Sequence, residues 1–571
     1  MGVRRIARVV LVSTLWAGGV TQAHETTRRA FEATLEPREA SALFASGSLV
    51  RTAVSAGVTG RECRVTLQAV DAATGRPMPA LIRVRNERGQ ALEVPGLVCR
   101  GIKLRANHPA KEWYVLPGNA ELRLPAAVLS VEAFSGLETE RSFIVLDLRG
   151  KTQARHELPL RRFHDAAAAG WRAGNTHLHL RGLTRAQADE YLRNIPRGDG
   201  LELVFVSYLE RARDADYITN DYGAADLAAL EQPGLRFGNG EEHRHNFGSG
   251  GEGYGHVMFL NLPELVRPVS IGSGITGAGP DYPALRPGID RARQLGATVI
   301  WCHNAFGMEH APSWLSGRLH AHNIFDGGSQ GSYARTFYRL LNVGLKVPFS
   351  AGTDWFIYDF SRVYVRAASP VRVDSWLGGL AAGRTFISNG PLLELRVGRH
   401  EIGDTVALDG AGELTVRGRA VGRVDFRGLE LVHDGAVVRQ VPAQAIDGHF
   451  VAEFEHTLPV RHSGWIAARV SGGSLEGDGP VVVPPNLPVR ATGTGTNEMG
   501  EAIFAHTSPV YVEVSGRPHF DARAAEALIT SIEESRRTIQ AKARFDRDDQ
   551  ADEVLNIYTV AIETLRRRLG R

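Results

Sequence analysis

Two parts of the chain alternate hydrophobic and polar residues in the way that is typical of β-strands. Between about Cys63 and Leu160 every second position is apolar in CRVTLQAV, ALIRVRN, AVLSVEAF and RSFIVLDL. After about Gly398 the same period returns in ELTVRGRAVG, GLELVHDGAVVRQV, HFVAEFEHTL and GWIAARVSG. Because successive side chains of a strand point to opposite faces of a sheet, each part is predicted to form a β-sandwich.

The region between these two parts has a different pattern. Helical segments such as LTRAQADEYLRNI and ALRPGIDRARQLG alternate with the short apolar runs LELVFVS, GHVMFLNL, ATVIWCHN and LKVPFSAGTD. This alternation predicts an α/β domain in which buried strands lie inside a shell of helices. From Ala522 to Leu569, charged residues at i,i+4 spacing predict a helical hairpin that is interrupted near Asp546–Asp549.

The pattern divides the 571 residues into five segments. They are a signal peptide (1–23), an N-terminal segment with a β-sandwich (24–165), an α/β domain (166–397), a second β-sandwich (398–485) and a linker with C-terminal helices (486–571). A basic start, a short apolar run and small residues at Thr21 and Ala23 predict the signal peptide. We therefore expect a periplasmic or secreted protein; a buried N-terminal helix is the alternative interpretation.

Charge and cysteine content narrow the classes of partner. The formal net charge is only +3 and no basic stripe stands out, so nucleic acid is not an expected partner. No stretch approaches the roughly 20 apolar residues that a membrane span needs, so no integral membrane span is expected. In an oxidising compartment Cys63 and Cys99 could pair within one sandwich and leave Cys302 single, although the sequence cannot show how closely they approach.

The first candidate for chemistry is the pair His177 and His179 in GNTHLHL. Residues i and i+2 of a strand point to the same face, so both imidazoles can reach one ion. Imidazole nitrogen is a ligand for zinc, iron and manganese at about 2 Å. On its own the pair is weak evidence, because two exposed histidines on a strand are common.

Further clusters place similar residues at or beside the ends of the apolar runs. They are Glu241, Glu242, His243 and His245 in GNGEEHRH, His256 before VMFLNL, His303 after VIWC, and Asp354 after FSAGT. In α/β barrels the carboxyl ends of the strands carry the chemistry, so these side chains are expected to meet. A single buried histidine is more often a hydrogen-bonded part of the structure, but so many such positions in one domain indicate a metal site.

The order of these motifs resembles the polymerase-and-histidinol-phosphatase (PHP) superfamily and, within it, the CehA/McbA family of metallohydrolases. The phrases GWRAGNTHLHL, AGTDW and WLGGLAAGRTFISNGPLL carry the resemblance, which covers about residues 170–393. It implies a distorted (β/α)7 barrel, here flanked by two β-sandwiches, with the metals at the carboxyl ends of the barrel strands. It also implies a metal-activated water as the nucleophile, so that no serine or cysteine nucleophile is required.

The resemblance also implies a role for each matching residue. The metal ligands would be His177, His179, Glu242, His256, His303 and Asp354. Glu242 would bridge the ion held by the two histidines and Asp354 to a second ion, and Glu241 is the alternative bridge if the register shifts by one. Glu242 and Asp354 are thus the predicted catalytic residues. The predicted substrate contacts are Arg244, His243, His245 and Trp355.

The sequence also departs from the superfamily pattern. Phe356 takes the place of the last histidine, which binds the third metal of trinuclear members, and Glu210 stands where a DH motif is usual. We therefore expect one or two divalent ions (zinc, manganese or iron), with His243, His245 and Glu210 as reserve ligands or substrate contacts. Arg244 is expected either to bind an anionic group of the substrate or to pair with a neighbouring glutamate. The residues expected to orient the ligands are His310, His320, His322 and Asp326.

Two functions from different classes remain open. The first is an exported metal-dependent hydrolase that cleaves an ester, phosphoester or carbamate-type bond in a small or glycan-linked substrate. The second is a carbohydrate-binding or surface-associated protein that keeps the PHP-like barrel but has reduced catalysis. Loss of the third-metal histidine favours the second, and retention of the six predicted ligands favours the first.

Overall fold

The computed structural model describes seven stretches of the chain. They are residues 61–105, 107–210, 221–247, 253–304, 306–326, 331–470 and 495–571. The predicted signal peptide (1–23), and residues 486–494 of the predicted linker, lie outside the described residues.

The N-terminal part has the two sheets that its alternating pattern predicts. The strands are β1 (Glu62–Asp71), β2 (Ala80–Asn86), β3 (Ala91–Leu92), β4 (Val98–Cys99), β5 (Tyr114–Leu116), β6 (Asn119–Pro125), β7 (Val128–Phe134), β8 (Ser142–Asp147) and β9 (Gln153–Leu160). One sheet has the order β6-β1-β9 and the other β4-β5-β2-β7-β8. Alternate residues such as Val65 and Leu67 of β1 meet Ile82 and Val84 of β2 in a common core.

The possible disulfide within this sandwich is not formed. Cys63 lies on β1 and Cys99 on β4, in different sheets, and all three cysteines of the chain are free thiols. The Cys99 thiol donates to the Lys111 carbonyl 3.5 Å away. The spacing in the sequence could not predict this, because two strands of one sandwich need not place their side chains opposite each other.

The central part alternates strands and helices. Its strands are β10 (Trp171–His179), β11 (Leu203–Tyr208), β12 (Arg236–His245), β13 (Gly255–Leu260), β14 (Ser270–Ile271), β15 (Thr298–Trp301), β16 (Ala321–Asn323), β17 (Phe349–Ser350), β18 (Asp354–Trp355), β19 (Arg362–Arg366) and β20 (Thr385–Ser388). Its helices are α1 (Arg185–Gly198), α2 (Ala224–Ala228), α3 (Ser273–Thr276), α4 (Leu285–Gln294), α5 (His310–Leu315), a π-helix (Ala334–Tyr338), α6 (Arg339–Leu341) and α7 (Val373–Ala381).

Helix α1 shows how the local sequence fixes these elements. The Thr184 hydroxyl accepts a hydrogen bond from the Gln187 amide, and the Gln187 side chain accepts one from the Thr184 amide. This capping box satisfies two donors that a helix start otherwise leaves open. Ala188, Tyr191 and Ile195 are buried at helical spacing, so one face of α1 packs on the domain core.

Strand pairing gathers the carboxyl ends of several central strands. β10 pairs in parallel with both β11 and β18, and β11 pairs in parallel with β12. β15, β16 and β17 form a second parallel group, which β13 joins to β12 through antiparallel pairs. Every residue of β10 is buried, as expected for a strand that is covered on both faces.

The second sandwich begins slightly earlier and extends further than the sequence pattern predicts. Its strands are β21 (Leu392–Val397), β22 (His400–Glu401), β23 (Thr405–Leu408), β24 (Gly412–Gly422), β25 (Gly428–His433), β26 (Ala436–Pro442), β27 (Gln444–Ile446), β28 (His449–Val460), β29 (Gly464–Val470), β30 (Ala505–Thr507) and β31 (Val510–Val514). The last two strands lie in the predicted linker segment. β30 pairs with β20 of the central part as well as with β29, so one sheet runs from the α/β domain into this sandwich.

Two long helices complete the chain, α8 (Ala522–Lys542) and α9 (Asp548–Arg568). The Asp521 carboxylate caps α8 by accepting from the amides of Arg523 and Ala524. The two helices pack on each other and on α5 through apolar residues of the central core. Among the helices of the described stretches, none is long and apolar enough to cross a membrane.

Buried ion pairs join the sandwiches to the central part. Arg100 of the first sandwich pairs with Asp199 at the end of α1, with 2.8 Å between Nη2 and Oδ2 and both side chains fully buried. Arg423 of the second sandwich pairs with Glu498 and also donates to the carbonyls of Gly136 and Thr139 in the first. A buried ion pair that loses one partner is strongly destabilising, so these contacts hold the domains in one arrangement.

Candidate metal centre

Strand β10 places His177 and His179 side by side. Both side chains are fully buried, and their Nε2 atoms are 2.8 Å apart. Leu178 between them packs into the hydrophobic core, as the two-residue period of a strand requires. The two imidazoles therefore point into the same space at the carboxyl end of the strand.

Asp354 reaches the same space from the neighbouring strand β18. Its Oδ1 lies 3.5 Å from Nε2 of His177 and 3.8 Å from Nε2 of His179. Asp354 has φ +58°, a left-handed conformation that is unusual for a residue other than glycine. The amides of Thr353 and Phe356 donate to the carbonyls of His177 and His179, so both sides of this turn are fixed to β10.

Glu242 of β12 lies at the centre of the cluster. Its Oε2 is 3.1 Å from Nε2 of His179, and its Oε1 is 2.9 Å from Nδ1 of His256 and 3.1 Å from Nε2 of His303. Two overlapping groups have ligand atoms within 4.8 Å of one another: His177, His179 and Glu242, and Glu242, His256 and His303. The structure thus brings together all six predicted ligands, with Glu242 in both groups.

Each of three imidazoles has its outer nitrogen next to a hydrogen-bond acceptor. Nδ1 of His177 is 2.7 Å from Oδ2 of Asp326, Nδ1 of His179 is 2.9 Å from the Ser207 carbonyl, and Nε2 of His256 is 2.8 Å from Oδ1 of Asn246. Each outer nitrogen therefore carries the proton. A neutral ring has one N–H, so the inner nitrogens of His179 and His256 turn their lone pairs toward Glu242.

This convergence of lone pairs fits a cation. Lone pairs and a carboxylate that face each other at about 3 Å repel unless a positive charge lies between them. Two ligands of one tetrahedral ion at about 2.1 Å each are themselves about 3.4 Å apart, which is close to the spacings here. Imidazole and carboxylate are ligands suited to zinc, iron or manganese, so these buried groups can bind such an ion.

The pKa values reflect the same concentration of charge. Burial alone would raise the pKa of Glu242, but Arg244, His179 and His256 hold it well below its usual range. Burial lowers the pKa of His256 to about 3. Burial also opposes protonation of His177, but Asp326 and Asp354 raise its pKa to about 9. Perturbed values of this kind cluster at functional sites.

Glu241, His243 and His245 of β12 point away from the cluster. Glu241 accepts from the Val266 amide at 2.6 Å and lies 3.3 Å from Nδ1 of His243. Nε2 of His245 lies 2.9 Å from Oδ1 of Asp281. Strand alternation therefore selects Glu242 rather than Glu241 for the cluster. It also turns the predicted substrate contacts His243 and His245 to the opposite face, where both are buried.

Arg244 and Trp355, the other predicted substrate contacts, lie at the cluster. Arg244 donates from Nη1 to Glu242 at 3.4 Å, from Nε to the Ser270 hydroxyl and from Nη2 to the Glu210 carbonyl. Of the two roles expected for Arg244, the structure shows the ion pair with a neighbouring glutamate. The half-buried Trp355 ring lies 5.2 Å from the His179 ring.

The structure also places the two residues at which the sequence departs from the motifs that it resembles. Phe356 packs its ring against Tyr191 and Tyr358, at centroid distances of 5.5 Å and 4.9 Å, in the apolar core. The Glu210 carboxylate pairs with Arg267 at 3.1 Å and is half exposed, so it is not among the groups around Glu242.

The residues predicted to orient the ligands fall into two sets. Asp326 contacts His177 directly. His310 and His322 form a buried pair, with Nε2 and Nδ1 3.3 Å apart. The half-buried His320, just before β16, instead accepts from the Val299 amide. Sequence reasoning missed Asn246 and the Ser207 carbonyl, because neither belongs to a motif.

Cys302 is a further residue that the sequence did not indicate. Its thiol and the nitrogens of His177 and His303 form a third group with ligand atoms within 4.8 Å of one another. Burial raises the pKa of this thiol well above its usual range, and Glu242 and Asp326 raise it further. In the sequence, only the position of Cys302 next to His303 could have indicated that its thiol lies near the cluster.

No protein-family profile matches the sequence, and no curated protein sequence matches it. Solved structures that match weakly include the β-glucuronidases of Parabacteroides merdae (9% identity, TM-score 0.14, 77% of this chain and 61% of that one) and Bacteroides uniformis (12% identity, TM-score 0.16, 77% and 58%). The chain therefore spans about three fifths of the length of these two proteins. A likeness of this size supports no conclusion about fold or function.

Proposed function

We propose that this protein is an exported metal-dependent hydrolase of the CehA/McbA type, with a PHP-like barrel that binds one or two divalent ions. The proposed reaction is hydrolysis of an ester, phosphoester or carbamate-type bond. The sequence motifs support the family, and the parallel pairs β18–β10–β11–β12 and β15–β16–β17 support the barrel. Export rests on residues 1–23 alone.

The observation that carries the proposal is the convergence of imidazole lone pairs on Glu242. Asp326, the Ser207 carbonyl and the Asn246 side-chain oxygen accept from the outer N–H groups, and the inner nitrogens of His179 and His256 turn their lone pairs toward the Glu242 carboxylate. Histidine ligands of metals characteristically donate their second N–H to such acceptors. A purely structural cluster would instead match each donor with an acceptor.

The position of each residue in the cluster indicates its proposed role. Glu242 shares its two oxygens between the two groups of histidines and would hold both ions. The Asp354 side chain is 14% exposed against 3% for Glu242, and burial raises its pKa, so its Oδ1 is suited to accept a proton from an attacking water. Bound divalent ions would lower the pKa of that water and polarise the scissile bond.

The rival function is a binding protein with a metal site but no turnover. The packing of Phe356 into the core, where trinuclear members have a ligand, favours it. A reduced ligand set is compatible with either function, since hydrolysis needs only one activated water and one base. Measurement of turnover separates the two.

The test begins with the purified full-length chain. Bound metal is measured in the wild type and in a His177→Ala/His179→Ala variant, and aryl esters, carbamates and phosphodiesters are screened with added manganese, zinc or iron. We expect a near-stoichiometric transition metal, lost in the double variant, and turnover lost in Asp354→Asn but kept in His400→Ala of the second sandwich. A wild type without metal would refute the metal site, and metal without turnover would favour the binding protein.

A further inference from the structure

The turn that carries His303 has an unusual backbone. His303 and the next residue, Asn304, have φ values of +55° and +60°, so two successive residues other than glycine are left-handed. L-residues adopt this conformation unfavourably, and it persists only where the surroundings impose it. Here the turn directs the His303 ring to Glu242, with 3.1 Å between Nε2 and Oε1.

The neighbouring strand β16 and the residues after it hold this turn at three points. The Asn304 amide donates to the Asn323 carbonyl at 3.1 Å, and the Phe325 amide donates to the Asn304 side-chain oxygen at 3.0 Å. The third contact joins Nε2 of His322 to the Asn304 carbonyl. The first two involve backbone donors that are fixed by the fold, whereas the third depends on which nitrogen of His322 carries its proton.

His322 is the inner end of a buried chain of side chains. Its Nδ1 is 3.3 Å from Nε2 of His310, and Nδ1 of His310 is 2.7 Å from Nη2 of Arg339. His310 and His322 are 1% and 0% exposed. Arg339 begins α6, directly after the π-helix, so the chain runs from a helix of the outer shell to the turn beside the metal ligand.

The two ends of this chain fix its direction independently. A guanidinium can only donate, so Nδ1 of His310 must accept and its Nε2 must carry the proton. A carbonyl can only accept, so Nε2 of His322 must carry the proton and its Nδ1 must accept. Both requirements give the same arrangement, in which every N–H points toward Asn304. Burial lowers the pKa of His322 to about 3 and that of His310 well below its usual range, so both rings stay neutral with one N–H each.

We propose that Arg339, His310 and His322 form a one-way hydrogen-bond chain that positions the candidate metal ligand His303 by holding the Asn304 carbonyl. The three are positioning residues, since none of them contacts Glu242 or the imidazoles around it. The other His322 tautomer would turn a lone pair toward the carbonyl oxygen and remove this one of the three contacts that hold the turn. The role assigned to His303 rests on the proposed metal site, but the direction of the chain does not.

Neutron diffraction from deuterium-exchanged crystals of the full chain tests the direction. We expect deuterium on Nε2 of both His310 and His322, and none on Nδ1 of either ring. Deuterium on either Nδ1 would overturn the one-way chain. This result is obtained whether or not the protein binds metal, so it is separate from the test of the proposed function.

Variants of His322 test the positioning. The amide nitrogen of glutamine can replace Nε2, whereas methionine fills similar space without a donor. We expect His322→Met to weaken binding of zinc, measured by competition with a chromophoric chelator, by about 10- to 100-fold at one site. His322→Gln should restore affinity to within about threefold of wild type. The control His320→Gln, at the residue just before the same strand, should leave it unchanged.

A folded His322→Met protein with wild-type zinc affinity would overturn the positioning role. So would equal losses in the glutamine and methionine variants, because they would show that packing rather than donation matters. If His322→Met does not fold, Arg339→Met serves instead, since it keeps both histidines and removes the donor at the outer end of the chain; we expect it too to weaken zinc binding. Zinc affinity unchanged in Arg339→Met would then refute the chain, whereas a wild type that binds no zinc would refute the metal site itself.

Discussion

The two faces of strand β12 carry the same residue types, histidine and glutamate, but these residues make different contacts on each face. On one face both ring nitrogens of His245 have partners: the Tyr254 amide donates to Nδ1, and Nε2 donates to Asp281. His243 on the same face lies 3.3 Å from Glu241 through its Nδ1. On the other face Glu242 meets imidazoles whose lone pairs point at it. We call these the closed face and the open face.

The comparison teaches that a metal site is defined by unmatched charge rather than by the presence of histidine and glutamate. From Gly240 to His245 every residue of β12 is buried on both faces. Each face also has an Asp–His pair of similar length, 2.9 Å for Asp281–His245 and 2.7 Å for Asp326–His177. Only the open face gathers imidazole nitrogens from several strands around one shared carboxylate. Three predictions follow from placing matched changes on the two faces.

The largest effect is expected from replacing each of the two adjacent glutamates in turn with glutamine. Glu242→Gln removes the charge that both groups of histidines share, so we expect loss of bound metal and a fall in turnover of at least about a thousandfold, or about 4 kcal/mol. Glu241→Gln keeps an oxygen for the Val266 amide and should retain metal, with turnover within about threefold of wild type. Metal analysis and initial rates measure both. Equal losses in the two variants would abolish the distinction between the faces.

The aspartates that hold a histidine on each face should give an intermediate effect. Asp326→Asn weakens the acceptor for Nδ1 of His177, and we expect metal affinity to fall about 10- to 100-fold. Asp281→Asn makes the same change beside His245 and should lower the unfolding temperature while leaving metal affinity unchanged. Titration with a competing chelator and thermal unfolding distinguish the outcomes. Loss of affinity in Asp281→Asn would show that the closed face also supports metal binding.

The smallest effect concerns pH. Burial lowers the pKa of His245, and Asp281 offsets this only in part. Below about pH 6.5 His245 is protonated in the unfolded chain but stays neutral in the folded chain. The free energy of unfolding therefore decreases as the pH falls, by up to about 1.4 kcal/mol per pH unit. The difference in unfolding free energy between wild type and the non-titrating His245→Gln should therefore narrow between pH 7 and pH 5. A constant difference in urea titrations would contradict a neutral His245.

The sequence was sufficient to predict which residue types meet, because carboxyl ends of neighbouring parallel strands lie at one edge. His177, His303 and Asp354 each stand at or beside such an end, whereas His256 stands at the amino end of the antiparallel strand β13. The structure places all four around Glu242. The sequence could not choose between Glu241 and Glu242, because a shift of one residue exchanges the two faces of a strand. His243 and His245 were assigned to the substrate for the same reason.

Long-range pairing also escaped prediction. β30 and β31 lie in a segment that reads as a linker, and they become strands only because β20, β23 and β29 offer partners. Asn246 holds His256 from the end of the same hairpin, yet no spacing marks it. These features depend on tertiary contacts that a local pattern does not contain.

The most direct test of the account is an anomalous-scattering map from a crystal of the metal-loaded protein, recorded at the absorption edge of the metal. We predict one or two peaks within about 2.3 Å of the Glu242 carboxylate, one toward His177, His179 and Asp354, the other toward His256 and His303. No peak beside Glu242, or a peak only on the closed face beside Glu241 and His243, would contradict the assignment.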